Sequence, residues 1–432
     1  MIDNIKKILE ASENVHGYIL KDVTSESKEL FFVKQELDMN RAKKVHYYSV
    51  TVFNDFTEGE NKFKGNSTIK LSPSMSTVEM TEKIELAALS ASFVKNPHYD
   101  LVEKTNKQTQ SIQSNFSEKC ISDFLPELIE LMFKHDCYEN GGINSGEIFI
   151  NKHDKRFISS TGIDVTSTSY TAQMEIVTDW TEDGEAVEIF TVLDFSEFDR
   201  EMIEEEIKNA IENTKDRAIA VPMPELNNVD IILSDANVDE FFSYYPSRAN
   251  VGSIFSRISD AKVGDNIQGD EILGDKVTIT LVPEIKGSIR NSYIDGEGTI
   301  LDDLELYADG ELKTYYGSTR ISQYLDVESK GIYGNTKVNP GSKTIAELKS
   351  TPYLECVFFS DFQMNSMTGD FGGEIRLARY YDGEKIIPVT GGSITGNIKD
   401  VQNEMYFSSE VATSNNFNGP KIIKLKNVSI AS

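Results

Sequence analysis

Residues 157–195 read "FISSTGIDVTSTSYTAQMEIVTDWTEDGEAVEIFTVLDF", and residues 196–218 continue "SEFDREMIEEEIKNAIENTKDRA". The first stretch is rich in Val, Ile, Thr, Tyr and Phe, which predicts strands, and its Glu182-Asp183-Gly184 has the composition of a hairpin turn. The second stretch sets Ile203, Ile207, Ala210 and Ile211 at helical spacing, with Glu204 to Glu206 facing water. A hairpin followed by an amphipathic helix predicts an antiparallel sheet with a helix laid on it. The acidic run near the helix start is a solvated face, not a metal site.

Upstream the same alternation of texture appears. "MIDNIKKILEASENV" places Ile2, Ile5, Ile8 and Leu9 at helical spacing and has no apolar core leading to a cleavage site, so it predicts a helix and not a signal peptide. Three short strands are predicted at "GYILKD", "ELFFVKQ" and "VHYYSVTVF", separated by polar turns. "STVEMTEKIELAALSASFVKN" opens with Ser76 three residues before Glu79, a capping-box spacing, and predicts a helix. A further helix is predicted from Asp123 to His135, with Pro126 in its first turn.

Downstream, two prolines in "AVPMPELNN" mark a boundary, and the remainder is strand-rich and punctuated by glycine. Ala308-Asp309-Gly310 and Tyr381-Asp382-Gly383 have hairpin chemistry. Without a βαβ rhythm, this half predicts a curved antiparallel sheet or partly closed barrel. The chain is thus expected to be α+β, with an N-terminal region of helices packed on antiparallel strands (1–105), a central α+β domain (106–220) and a β-rich domain (221–432).

Composition removes several functional classes. A formal charge of −27 over 432 residues argues against nucleic acid or anionic membrane as partner, because phosphate binding requires an excess of Lys and Arg. No apolar run approaches a membrane span. Three cysteines, without a C-x-x-C, point to a reducing compartment, and a cytoplasmic location is expected. The five histidines all lie at or before His153, and no two have the spacing of a zinc helix. There is no nucleophile elbow and no phosphate-binding loop. The carboxylates Asp295, Glu297, Asp302 and Asp303 lack the alternation of a calcium loop and read as a turn leading into a strand.

Taken in order, the C-terminal pieces resemble the TldD/PmbA family, known as modulators of DNA gyrase and as metallopeptidases. "YIDGEGTILDDLELYADGELKTYYGSTRISQYL" looks like that family's D-x-E-G-T segment, and "GIYGN" like its Gly-Asn step. "NSMTGDFGGEIRLARYYDGEKIIPVTGGSITGNIKD" resembles its T-G-D-F and I-x-G-N-x-K-D elements, in the form of the PmbA (TldE) branch, and "GPKIIKLKNVSI" its closing strand. The resemblance implies a cleft to which Asp295, Glu297, Gly298, Gly334, Asn335, Gly369 and Asp370 contribute. The competing reading makes the same residues turns that shape the sheet.

Active members of that family carry zinc on an H-E-x-x-x-H helix completed by a cysteine. The resemblance places this helix on "ANVDEFFSYY" (236–245), with Glu240 at the glutamate, Asp239 at the first His and Tyr244 at the second. The cysteine is missing from "VATSNNFN" (411–418). A neutral phenol is a poor zinc ligand, so no catalytic residue, metal or other cofactor is expected in this chain. The implied role is a non-catalytic TldE-like subunit that forms a peptide-binding chamber for unfolded or extended peptides with a zinc-bearing TldD-like partner. The alternative is a stand-alone homodimer that holds peptides without cutting them. A peptidase with an oxygen-only metal site ranks below both.

Overall fold

The computed structural model describes every residue except 108, 227, 228, 270 and 432. Helix α1 (Ile2–Ala11) precedes strands β1 (Gly17–Val33), β2 (Glu36–Glu58) and β3 (Asn61–Leu71), which lead to helix α2 (Thr77–Ala91). The same series then recurs: helix α3 (Leu125–Phe133), strands β4 (Gly141–Ser159), β5 (Asp164–Glu182) and β6 (Glu185–Phe195), and helix α4 (Arg200–Ala218). All six strands join one antiparallel sheet, ordered β3-β2-β1-β4-β5-β6 and curled into a half-barrel. The two series meet at the β1–β4 pair, in register from Ile19↔Ser159 to Val33↔Ser145. Nothing in the sequence had suggested this duplication.

Side chains alternate across the sheet. Tyr18 and Leu20 of β1, with Val50 and Val52 of β2, pack under α1 and α2 against Ile5, Leu9, Met80 and Ile84. Further along the same face, Leu30 and Phe32 join Ile148, Met174 and Ile176 under α3 and α4. Between these two helical layers lie Asp22, Thr24, Glu26 and Lys28, all partly exposed. The turn expected after "GYILKD" is therefore continuous strand. Its backbone pairs on both sides, and that ladder carries β1 through polar positions which no helix needs to cover. On the opposite face, Ile19, Phe53 and Phe157 pack with Tyr99 and with Ile294 and Tyr324 from the C-terminal half.

That half contains a nine-stranded and a six-stranded sheet sharing one hydrophobic core. The chain is α+β throughout. The expected hairpin at 308–310 is present, with Asp309 at φ 51 and Gly310 at φ 86, the left-handed pair that a two-residue turn requires. Beyond the antiparallel expectation, Tyr353–Cys356 runs parallel to Asp230–Leu233, and Thr336–Lys337 parallel to Phe417–Asn418. Among the described residues, no helix is long and apolar enough to cross a membrane.

Candidate functional site

Strand Asp230–Ser234 lies between two neighbours, parallel to Tyr353–Cys356 and antiparallel to Ile422–Leu425, so Ile231, Ile232 and Leu233 are wholly buried. Asp235, at φ 55, turns the chain out of the sheet into helix α5 (Ala236–Phe242). The strand thereby fixes which helix face looks inward. Val238, Phe241 and Phe242 enter the core, and Asp239 and Glu240 are left on the other side. At Ser243 the helix stops and restarts as α6 (Tyr244–Ala249), the Ser243 hydroxyl donating to the Glu240 carbonyl at 2.7 Å.

Asp239 and Glu240 face a cavity of about 310 Å³, whose walls also include Ser243, Ser247, Thr336 and Asn416. Glu240 Oε1 accepts the Met364 N–H at 3.0 Å. Asp239 accepts the Asn416 side chain, yet burial, reinforced by the Glu240 charge, pushes its carboxyl up to about 6. No Lys, Arg, His or Cys is among the wall residues. The donors are thus two carboxylates, an amide and hydroxyls, all hard oxygen.

Tyr244 is not part of these walls. Its ring is buried, edge-on to Tyr245 at 5.5 Å and beneath the Arg248 guanidinium at 5.9 Å. Cys356 lies in the core, where burial raises its thiol far above the ordinary range. Zinc held by imidazole and thiolate does not fit such a site: the position of the second ligand has turned into the core, and no imidazole or thiol is among the described wall residues.

Residues 227–432 match the family model of the PmbA/TldA metallopeptidase C-terminal domain. This half is therefore a C-terminal domain of the TldD/PmbA type. An uncharacterized protein of Methanocaldococcus jannaschii is 26% identical over 281 residues, covering 62% of this chain. The alignment spans 65% of that relative's own length. TldE of Thermococcus kodakarensis superposes with a TM-score of 0.81 at 17% identity, over 100% of both chains. A Thermotoga maritima protein, named as a proposed modulator of a DNA gyrase, gives 0.79 at 15% identity over 99% of this chain and 100% of its own. At those identities the likeness is one of fold.

The residues associated above with a cleft fall into separate places. Asp295 is a buried turn-former: its Oδ1 accepts the N–H groups of Glu297, Gly298 and Thr299, each at 2.9 Å, and its Oδ2 that of Ile332 at 3.1 Å. Glu297 accepts the Thr319 N–H at 2.7 Å, at the start of a short helix. Gly298, at φ 106, lies so close to Ile163 and Phe157 that a Cβ would come within 2.8 Å of Ile163. It lines a different cavity, of about 340 Å³. Asn335 is buried, bonded to Ser288 Oγ, the Pro283 carbonyl and Asn291. Beside it, a Cβ on Gly334 would stand 2.9 Å from the Arg290 carbonyl oxygen. Gly369, at φ 84, backs onto Tyr244, and Asp370 accepts from Asn397 at 2.8 Å.

Sequence reasoning missed Asn415 and Asn416, although they sit in the segment where the family's cysteine was sought. They form the tip of a hairpin between Val411–Ser414 and Phe417–Pro420. Asn416 caps Asp239, while Asn415 donates to Asp194 of β6 at 3.4 Å and accepts the Ile289 N–H at 3.2 Å. Asp194 also accepts from Gln173 of β5 at 2.9 Å. Two residues along β5, Thr171 contacts His153, whose Nδ1 is 2.6 Å from the Ser25 hydroxyl. Polar side chains on the helix-free face of the sheet therefore extend from Ser25 to Asn415, whose chain neighbour Asn416 caps Asp239.

Proposed function

We propose that this chain is the non-catalytic, TldE-like member of its family, which holds extended peptides for a zinc-bearing TldD-like peptidase. The observation that carries the reading is the polar face from Ser25 and His153, through Gln173 and Asp194, to Asn415, whose neighbour Asn416 lines a cavity with Asp239 and Glu240 but no imidazole or thiol among its described walls. Hydroxyl, amide and carboxylate groups in a row suit the repeating N–H and C=O of an extended chain, whose recognition needs no particular side chains. The two carboxylates at the inner end, with no basic residue in the walls, would attract a peptide ammonium group. Glu240 has no metal-activated water on which to act as a base. A direct contact with DNA finds no support in a chain of charge −27.

Metal content and cleavage of an unfolded peptide pool test this reading, first with the chain alone and then with a TldD-like protein from the same source. Peptide binding without cleavage is expected alone, and cleavage is expected to appear or rise on mixing. Chelator-sensitive cleavage by the chain alone would overturn the assignment. Peptide binding with no response to any TldD-like protein would favour the stand-alone binding protein.

A further inference from the structure

The pairings of β1, β4, β5 and β6 arrange the helix-free face of the sheet in rows. One row runs Phe31, Glu147, Glu175, Val192, each directly opposite the next. On one side of it lies the row Val33, Ser145, Val177, Phe190, and on the other the row Glu29, Phe149, Gln173, Asp194. Toward the other end of this face, Ile19, Phe53 and Phe157 pack with Ile294 and Tyr324 of the C-terminal half. Here, in contrast, Val33, Phe190 and Val192 keep 57%, 52% and 43% of their surface exposed. Apolar side chains gathered in this way on an open sheet face mark a binding surface.

Glu147 and Glu175 stand in the middle of that apolar surround. Residues directly opposed on an antiparallel pair hold their Cβ atoms roughly 5 Å apart, and like charges there repel. In the neighbouring row the charges are answered. Glu29 is bound by Arg41, by Lys43 at 2.8 Å and by the Ser27 hydroxyl at 2.8 Å. Asp194 accepts from Gln173 and Asn415. Glu147 and Glu175 have neither an ion pair nor a side-chain hydrogen bond among the described residues. Arg41 is the nearby cation, but it is engaged by Glu29 and lies over the Phe31 ring, 5.6 Å from its centroid. Burial, reinforced by the Glu175 charge, therefore pushes the Glu147 carboxyl above its ordinary range against the pull of Arg41.

Two unanswered carboxylates among aromatic and aliphatic groups are complementary to a cation on an apolar stem. Arginine suits them better than lysine, because its planar guanidinium reaches two carboxylates at once and lies well on an aromatic face. Its methylenes would rest on Phe149, whose ring stands edge-on to Phe31 at 5.7 Å, and on Val192. An extended peptide repeats its side chains on one face every second residue, the same step that separates the rows along β4 and β5. A peptide laid along these strands with arginine over Glu147 and Glu175 thus sets the residue two positions away over Val177 and Phe190.

We propose that this face binds an extended peptide by an arginine side chain held between Glu147 and Glu175, with an apolar residue two positions away seated on Val177 and Phe190. The proposal rests on the reading of this chain as a holder of extended peptides, and adds the side chain preferred at one position. The surface is continuous with Gln173 and Asp194, which belong to the polar face on which that reading stands.

Fluorescence anisotropy on the full chain at physiological salt tests it, with an end-blocked, labelled peptide that carries arginine at its centre and leucine two residues to either side. The comparison peptide has citrulline, the neutral isostere, in place of arginine. The arginine peptide is expected to bind about tenfold more tightly than the citrulline peptide, with lysine between them. Glu147→Gln with Glu175→Gln is expected to abolish that preference and to leave the affinity for the citrulline peptide unchanged. The double exchange removes a like-charge contact and no bond, so the fold is retained. Glu201→Gln with Glu205→Gln makes the same change in net charge on the exposed face of α4 and is expected to leave the preference intact. Equal binding of the arginine and citrulline peptides to the wild-type chain overturns the proposal and leaves the reading of a peptide holder standing. A preference that survives the exchange at 147 and 175, or that falls equally with the exchange at 201 and 205, overturns it too. Failure of both peptides to bind overturns the proposal and that reading together.

Discussion

In the N-terminal sheet, each strand pairs mainly with strands near it in sequence, and burial follows the alternation of side chains along 17- and 19-residue strands. In the C-terminal half, the five-residue strand Asp230–Ser234 finds its neighbours at 353–356 and 422–425. There, loops are held by buried polar groups such as Asp295 and Asn335. One half obtains its register from periodicity, the other from a few specific bonds across long sequence separations. The first kind tolerates many substitutions that keep the pattern; the second depends on single residues. The candidate site lies in the second half and borrows only Asp194 and the polar face of β1, β4 and β5 from the first.

The sharpest test of that contrast is Phe242→Ala. Phe242 is wholly buried and meets the rings of Phe407 at 5.2 Å, Phe417 at 6.0 Å and Tyr245 at 6.1 Å. A cavity of that size costs about 3–5 kcal/mol. Trp180, the single tryptophan, is buried in the other half and reports on it alone. If the halves are stabilised separately, hydrogen exchange at 230–234 and 279–282 accelerates while the urea midpoint seen by Trp180 fluorescence stays in place. A parallel fall of that midpoint would show one cooperative unit and break the contrast.

How much was legible in the sequence follows the same division. The capping box of α2 was readable because both partners lie within one turn: Glu79 Oε2 accepts the Ser76 N–H at 2.8 Å, and Ser76 Oγ accepts that of Glu79 at 3.3 Å. The 182–184 turn was readable for a similar reason, since Asp183 at φ 50 and Gly184 at φ 85 satisfy a local need. The polar centre of β1 misled, because ladder bonds to β2 and β4 outweigh what its side chains suggest. At the site, the family resemblance drew attention to Asp239 and Glu240, which lie on one short helix beside one cavity. Tyr244 was placed one turn further on, but the break at Ser243 rotates it into the core. Asn416 comes from a hairpin some 180 positions away, and no local pattern connects it to Asp239.

A smaller effect is expected from Asp239→Asn, and it turns on pH. The carboxyl is raised from 3.8 to about 6, so the folded state holds a proton across that window which the unfolded chain has released. Its burial therefore costs stability that is absent below about 4, grows as pH rises through the window, and is complete above about 6. Replacing it with a neutral amide is expected to stabilise the protein by roughly 1–2 kcal/mol at pH 7.5, after allowance for partial solvent access, and by nothing at pH 4. Urea midpoints at the two pH values check this. An equal gain at both would mean that packing, and not the buried charge, sets the cost.

The smallest effect concerns the seam between the halves. Arg379, on strand Asp370–Tyr381, donates to Asp216 of α4 from Nε at 3.0 Å and from Nη2 at 2.7 Å, and to Asn213 at 2.8 Å. Both charged partners keep somewhat more than a quarter of their side-chain surface exposed, so the pair is screened and its net contribution modest. A double-mutant cycle with Arg379→Ala and Asp216→Ala is expected to give a coupling of about 0.5–1 kcal/mol at low salt that fades in molar salt. Such a weak link suits two bodies that are stabilised independently and merely docked. A coupling above about 2 kcal/mol that resists salt would mean the contact is effectively desolvated. In that case α4, which closes the duplicated series, would belong energetically to both halves, and stability would pass between sheet and site through Arg379.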